Sequence, residues 1–174
     1  MSKLEIGLVQ IYTGNGKGKT TAVFGLAMRA AGWGMRTYIA QFLKSGATGE
    51  YCASVMLAPY VTVEQFGNGH FVTEYDYEQS RLASKGLSAV WSALVGGEYD
   101  IVVAEEINVV LALDLLPIDA VLECIGQRPP NVELILTGRD APPELIERAD
   151  LVTEMVAVKH PFERGVEARK GIEF

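Results

Sequence analysis

The chain has 174 residues, 49% of them apolar, which suits one domain with a real core and excludes global disorder. Its 22 acidic and 15 basic residues give a net charge of −7, a poor basis for non-specific nucleic-acid binding. No run approaches the roughly 20 apolar residues of a membrane span, and Met1-Ser2-Lys3-Leu4 leads into an alternating strand pattern rather than a secretion signal.

Short apolar runs alternate with helical patterns, without repeat or linker. This predicts one domain over residues 1–174 of α/β class, with a mostly parallel sheet flanked by helices. The first strand is expected over Glu5 to Tyr12, where Leu8, Val9 and Ile11 make it apolar enough for burial on both faces. A glycine-rich loop follows, then a helix from Lys19 to Ala31. Its apolar stripe is Ala22, Val23, Leu26, Ala27 and Ala30, and Gly32 and Gly34 stop it. Arg36–Phe42 reads as a second strand, Gly49–Leu57 as a short helix ended by Pro59, and Val61–Phe66 as a third strand. After the loop Gly67–Tyr75, a helix is expected over Asp76–Leu94 with Leu82, Leu87, Val90, Trp91 and Leu94 inward. Asp100–Glu105 is a fourth strand, Val109–Leu113 and Pro117–Ile125 are short helices, and Val132–Thr137 is a fifth strand. Pro142 and Pro143 suit the first turn of a helix ending at Ala149, and Leu151–Val158 is a last strand. The polar tail Lys159–Phe174 is expected to pack over one end of the sheet. Cys52 and Cys124 form no CxxC pair and are expected as free thiols in a reducing, cytoplasmic compartment, without a metal.

Ligands of such sheets bind at the carboxyl ends of the strands. The glycine-rich loop, Gln41–Lys44, Gly67–Tyr75, Glu105–Asn108 and Thr137–Asp140 all follow strands and should converge on one rim.

The loop reads Thr13-Gly14-Asn15-Gly16-Lys17-Gly18-Lys19-Thr20-Thr21. The phosphate-loop pattern is GxxxxGK[ST], and Gly18-Lys19-Thr20 supplies its last three positions, while Thr13 stands where the first glycine would be. Glycines let consecutive N–H groups turn toward phosphate oxygens, and the helix N-terminus adds partial positive charge. Lys19 brings a compact charge to the phosphates, the Thr20 hydroxyl can ligate Mg²⁺, and Thr21 adds a hydrogen bond. A buried strand before and an amphipathic helix after make this a nucleotide site of the P-loop NTPase (RecA-like) architecture, with ATP as the expected ligand. The strand Ile101–Glu105 ends in Glu105-Glu106, the place where phosphate-loop proteins hold Mg²⁺ by a carboxylate. One glutamate would hold the metal and the other orient a substrate hydroxyl; the sequence leaves open which does which. For a base acting on a nucleophile, Glu74, Asp76 and Glu105 are candidates and none stands out. His70 and His160 carry no special signal.

The loop from Ile11 to Ala22 closely resembles that of the ATP:corrinoid adenosyltransferases of the CobA/CobO/BtuR type, where threonine at the position of Thr13 is usual. Similar matches are Gln41-Phe42-Leu43-Lys44-Ser45-Gly46, Leu134-Ile135-Leu136-Thr137-Gly138-Arg139, Ala149–Met155, and the tail segments Val158–Phe162 and Gly165–Phe174. The resemblance implies that Co(I) of a corrinoid attacks C5′ of ATP and that triphosphate leaves, so no general base is needed. It implies ATP held reversed in the loop, with Lys19 and Arg139 on the nucleotide and Mg²⁺, or Mn²⁺ in its place, on Thr20, Glu105 and Glu106. Family members also keep an aromatic residue near the lower face of cobalt. Here the segment reads Gly69-His70-Phe71-Val72-Thr73, and Phe71 takes the place of the family's tryptophan. Glu105 stands where relatives have Asp. A homodimer and a flavoprotein reductant are implied as partners. Many relatives also carry a longer N-terminal segment over the active site, so a lid here is expected to be absent or made by something else. Two alternatives remain: a phosphate-loop ATPase or kinase acting by phosphoryl transfer, and a non-catalytic ATP- or corrinoid-binding protein.

Overall fold

The computed structural model describes residues 4–70 and 72–174. Its strands are β1 (Val9–Thr13), β2 (Thr37–Phe42), β3 (Val61–Phe66), β4 (Ile101–Glu105), β5 (Glu133–Thr137) and β6 (Leu151–Glu154). Its α-helices are α1 (Lys19–Gly32), α2 (Gly49–Ser54), α3 (Tyr77–Val95), α4 (Ile107–Ala112), α5 (Ile118–Gln127) and α6 (Pro143–Arg148). The strands form one sheet in the order β3-β2-β4-β5-β1-β6, and every pairing is parallel. Helices return the chain from each strand to the next, as parallel pairing requires.

Alternation of side chains along the strands separates two cores. Ile39, Ile101, Val103 and Ile135 face one side, where they meet Val23, Ala27 and Ala30 of α1. Tyr38, Ala40, Phe42, Val102, Ala104, Leu134 and Leu136 face the other, against Val90 and Leu94 of α3, Val110 of α4 and Val121 of α5. α3 sits close because Gly86 has no side chain: a Cβ there would lie 2.7 Å from the Phe42 ring. Asp76 starts α3 by accepting the Gln79 N–H on Oδ1 at 2.7 Å.

Several boundaries differ from the sequence pattern. Leu8 lies before β1 and is 39% exposed, so the buried part of the first strand begins at Val9. The helix after β4 starts at Ile107, because Glu106 adopts a left-handed conformation (φ 67°) and its carbonyl accepts the Val109 and Val110 N–H groups. The last strand stops at Glu154 instead of reaching Val158, because the Met155 carbonyl turns onto the glycine-rich loop and accepts the Gly16 N–H at 2.6 Å. The tail contains a 3₁₀ turn over Pro161–Arg164 and runs to the mouth of the main cleft.

Both cysteines are free thiols. Cys52 is exposed, whereas burial pushes the Cys124 thiol up to about 11. The thiolate is the reactive form, so one thiol per chain is expected to react with a disulfide reagent at pH 8 in the folded protein and two after denaturation. Two fast thiols in the folded protein would contradict this packing. No helix among the described residues is long and apolar enough to cross a membrane.

Candidate functional site

The carboxyl ends of the strands open onto a cleft of about 630 Å³, within the range of small-molecule sites. It is lined by Asn15–Thr21 of the glycine-rich loop, Lys44, Glu106 and Arg139, together with parts of α1, α2 and the tail. Four of the five loops expected to converge therefore reach this cleft, through Asn15–Thr21, Lys44, Glu106 and Arg139, whereas the fifth, Gly67–Tyr75, does not: its Asn68, His70 and Val72–Tyr75 line a separate cavity.

The loop's path depends on two glycines. Gly14 has φ 91°, and a Cβ there would lie 2.4 Å from the Met155 carbonyl; at Gly16 the same oxygen would be 2.7 Å away. Any side chain would push β6 and the loop apart. Thr13 does not line the cleft: its hydroxyl accepts the Ala141 N–H at 3.3 Å, tying the loop to the segment after β5. Asn15 lines the cleft and accepts the Ala157 N–H on Oδ1 at 3.1 Å.

Lys19 starts α1 and is 8% exposed. Its Nζ donates to the carbonyls of Gly14 at 2.6 Å and Gly16 at 3.0 Å. Burial lowers its pKa, opposed by the charge of Glu106. An ammonium held out of water by two neutral carbonyls is poised to gain from an anion. Lys17 behaves differently: its Nζ points away from Lys19 to the Ile172 carbonyl at 2.8 Å and the Glu173 carboxylate at 3.0 Å.

The two glutamates separate clearly. Glu105 is fully buried; Oε2 accepts from Gln41 Nε2 at 2.7 Å and Oε1 from Lys44 Nζ at 2.9 Å. Glu106 lines the cleft, and its backbone N–H donates to the Thr137 hydroxyl at 3.1 Å. Burial raises its pKa, the neighbouring Glu105 raises it further, and Lys44, Lys19 and Arg139 pull it down. Arg139 and Thr21 are exposed on the rim. Of the other candidates, Asp76 caps α3, and with His70 and Glu74 it lines a separate cavity of about 250 Å³. His160 lines the main cleft and caps the 3₁₀ turn through Nδ1, which accepts the Phe162 N–H at 3.3 Å. Phe71 lies outside the described residues.

Lys44 is the residue that sequence reasoning placed on the rim without a role. Its Nζ stands between the Thr20 hydroxyl, 3.2 Å away, and Glu105. No spacing rule reports this, since the partners are 24 and 61 residues away in the chain. Removing one partner of a buried ion pair strands the other. Lys44→Met is therefore expected to cost about 2–3 kcal/mol of stability, and Lys44→Met/Glu105→Gln to recover much of it. A single variant as stable as the parent in denaturant titration would show the pair to be inconsequential.

Thr20 and Glu105 thus converge on one cationic point, with Glu106 adjoining in the cleft. A hydroxyl and two carboxylates are hard oxygen donors, the set suited to Mg²⁺. Among the described residues no three His, Cys, Asp or Glu side chains group as a metal cage. That is compatible with a metal held partly by substrate phosphates, the usual manner for Mg²⁺.

The model of the family described as ATP:corrinoid adenosyltransferase BtuR/CobO/CobP matches residues 5–174. The chain is 38% identical to a corrinoid adenosyltransferase of Pseudomonas aeruginosa, over 98% of this chain and 85% of that protein. It is 35% identical to a corrinoid adenosyltransferase of Escherichia coli and to the corrinoid adenosyltransferase CobA of Salmonella typhimurium, over 98% of this chain and 87% of each relative.

Proposed function

The chain belongs to the ATP:corrinoid adenosyltransferase family, and from that premise we propose that it transfers the 5′-deoxyadenosyl group of ATP to Co(I) of a corrinoid. The observation that carries the reading is Lys19, a buried ammonium at the floor of a cleft of nucleotide size, in a chain that matches this family over nearly its whole length. The cobalt electron pair forms the bond to C5′, the C5′–O bond breaks, and its electron pair leaves on the triphosphate oxygen. No proton has to be removed from the nucleophile. The protein's work is to align the two substrates and to stabilise charge on the leaving triphosphate. In this reading Lys19 and the N–H groups at the start of α1 take the triphosphate, with Arg139 beside them; Lys19 and Arg139 both line the cleft. Thr20, Glu105 and Glu106 would hold Mg²⁺, or Mn²⁺, which when bound supplies further positive charge to the leaving group. The same reading includes a homodimer and a flavoprotein reductant, drawn from the resemblance, and a cytoplasmic location, drawn from the two free thiols.

One observation favours a second reading. Glu106 is a carboxylate of raised pKa facing the loop, and a base of that kind would serve a phosphate-loop ATPase or kinase. Product analysis separates the two: adenosyl transfer releases triphosphate, and phosphoryl transfer releases ADP.

The place of Phe71 in the family's aromatic segment assigns it to the lower face of cobalt. Phe71→Ala is expected to adenosylate chemically reduced Co(I) corrinoid at close to the parent rate. With Co(II) and a reductant it should be slower by about tenfold or more, the order of a loss of about 1.4 kcal/mol. Equal rates for parent and variant in both assays would remove the role.

A further inference from the structure

The main cleft has a second wall, formed by Gly171–Phe174 at the end of the segment Arg169–Phe174. Its own bonds knit this segment into a tight turn. The Glu173 and Ile172 N–H groups donate to the Arg169 carbonyl at 2.9 and 3.1 Å, and the Gly171 N–H donates to the Phe174 carbonyl at 2.7 Å. The Arg169 guanidinium holds the Glu173 carboxylate through Nε at 3.2 Å and Nη2 at 3.0 Å. On one side Lys17 of the phosphate loop clasps the turn, bonding both the Ile172 carbonyl and the Glu173 carboxylate. On the other, the Phe174 carbonyl carbon lies 3.7 Å from where a Cβ on Gly49 would stand, at the start of α2. The turn therefore spans the cleft from the phosphate loop to α2.

The turn brings apolar groups to the cleft and leaves them unfinished. Ile172 is 57% exposed and Phe174 47%, and Met28 of α1, also on the cleft lining, is 61% exposed. Phe24 and Leu57 continue the apolar lining. Apolar side chains gathered around a concave site mark a place for an apolar ligand surface. The buried Lys19 lies in the same cleft and calls for anionic charge. A ligand satisfying both has a polyanionic end and a flat, weakly polar end, as a purine nucleoside triphosphate does.

Resting on the adenosyl-transfer reading, we propose that Arg169–Phe174 is the nucleoside wall of the ATP site, with Ile172 and Phe174 packing on the purine base. Lys17, although part of the phosphate-loop motif, is the latch that holds this wall in place and not a phosphate ligand. Base recognition thus belongs to a turn about 150 residues away in sequence from the loop that binds the phosphates.

The test is calorimetric titration of the full chain with ATP and, separately, with inorganic tripolyphosphate, each with Mg²⁺. Ile172→Ser/Phe174→Ser is expected to weaken ATP binding about tenfold, as loss of stacking on a base does, and to leave tripolyphosphate binding within about twofold. Both residues are exposed, so folding should survive, as a melting curve will show. Lys17→Met, a second and independent variant, should give the same pattern. ATP affinity unchanged in both variants overturns the proposal. Equal losses for ATP and tripolyphosphate overturn it too, since they would place Lys17 or the turn on the phosphates. The underlying reading fails in a different way: ATP that does not bind the parent protein contradicts adenosyl transfer itself, and the nucleoside wall with it.

Discussion

Lys19→Ala is expected to slow adenosyl transfer by about a thousandfold, the order seen when one preorganised charge-stabilising donor is removed, while the protein stays folded. The chemistry explains the first half. Triphosphate leaves carrying the electron pair of the C5′–O bond, and Lys19 is the buried cation of the phosphate loop. The environment of Lys19 explains the second half. Burial lowers its pKa, so the folded, nucleotide-free protein holds the ammonium at a cost. A lowered lysine pKa means that the charged form is disfavoured on folding, and at neutral pH the substitution relieves that cost. It also removes two bonds to the Gly14 and Gly16 carbonyls, which offsets the gain. The net effect on the melting temperature should be small. Steady-state transfer to Co(I) corrinoid, together with a thermal melt, measures both. Parent-like turnover would remove Lys19 from the reaction, and an unfolded variant would show the loop to be structural.

Glu106→Gln is expected to move activity and stability in opposite directions. In the proposed site Glu106 is the carboxylate that faces the nucleotide, and its loss should raise the Mg²⁺ concentration needed for half-maximal transfer about tenfold or more, the order typical of a disturbed metal site. The same burial beside Glu105 that makes it useful makes it costly. Its pKa is raised above the ordinary value of 4.5. The folded state therefore binds this proton more tightly than the unfolded state, and stability falls as pH rises from about 4.5 through the raised pKa. Glutamine carries no such proton. The variant should melt at a higher temperature than the metal-free parent at pH 8, and the difference should vanish below pH 4.5. A parent-like Mg²⁺ requirement would shift the metal role to Glu105. A variant less stable at pH 8 would contradict the cost assigned to the buried charge.

The scaffold was largely legible because its strands carry an unmistakable signal. Thr37–Phe42 is buried at every position, and Ile101–Glu105 likewise; such runs leave a parallel, doubly covered sheet as the natural solution. The phosphate loop was legible because few other chemistries require Gly18-Lys19-Thr20 between a buried strand and a helix. What the sequence hid lies in contacts between distant segments. Its pattern did not report that Met155 closes the loop by receiving the Gly16 N–H, and so ended the last strand four residues too late. It treated Lys17 and Lys19 as neighbours in one motif, whereas one meets the tail and the other lies under the loop. It set Glu105 and Glu106 side by side without distinguishing them. The left-handed turn at Glu106 puts one on the cleft lining, while its neighbour stays with Gln41 and Lys44. Local pattern fixes elements, but the partners of a charged side chain depend on which strand ends the topology brings together.

The reaction is tested most directly by incubating the protein with ATP, Mg²⁺ and chemically reduced Co(I) cobalamin, then following the corrin spectrum before and after illumination. A cobalt–carbon bond that light cleaves, formed with one triphosphate released per corrinoid, is the predicted result. An unchanged corrin spectrum, or ADP and phosphate as the products, would contradict adenosyl transfer.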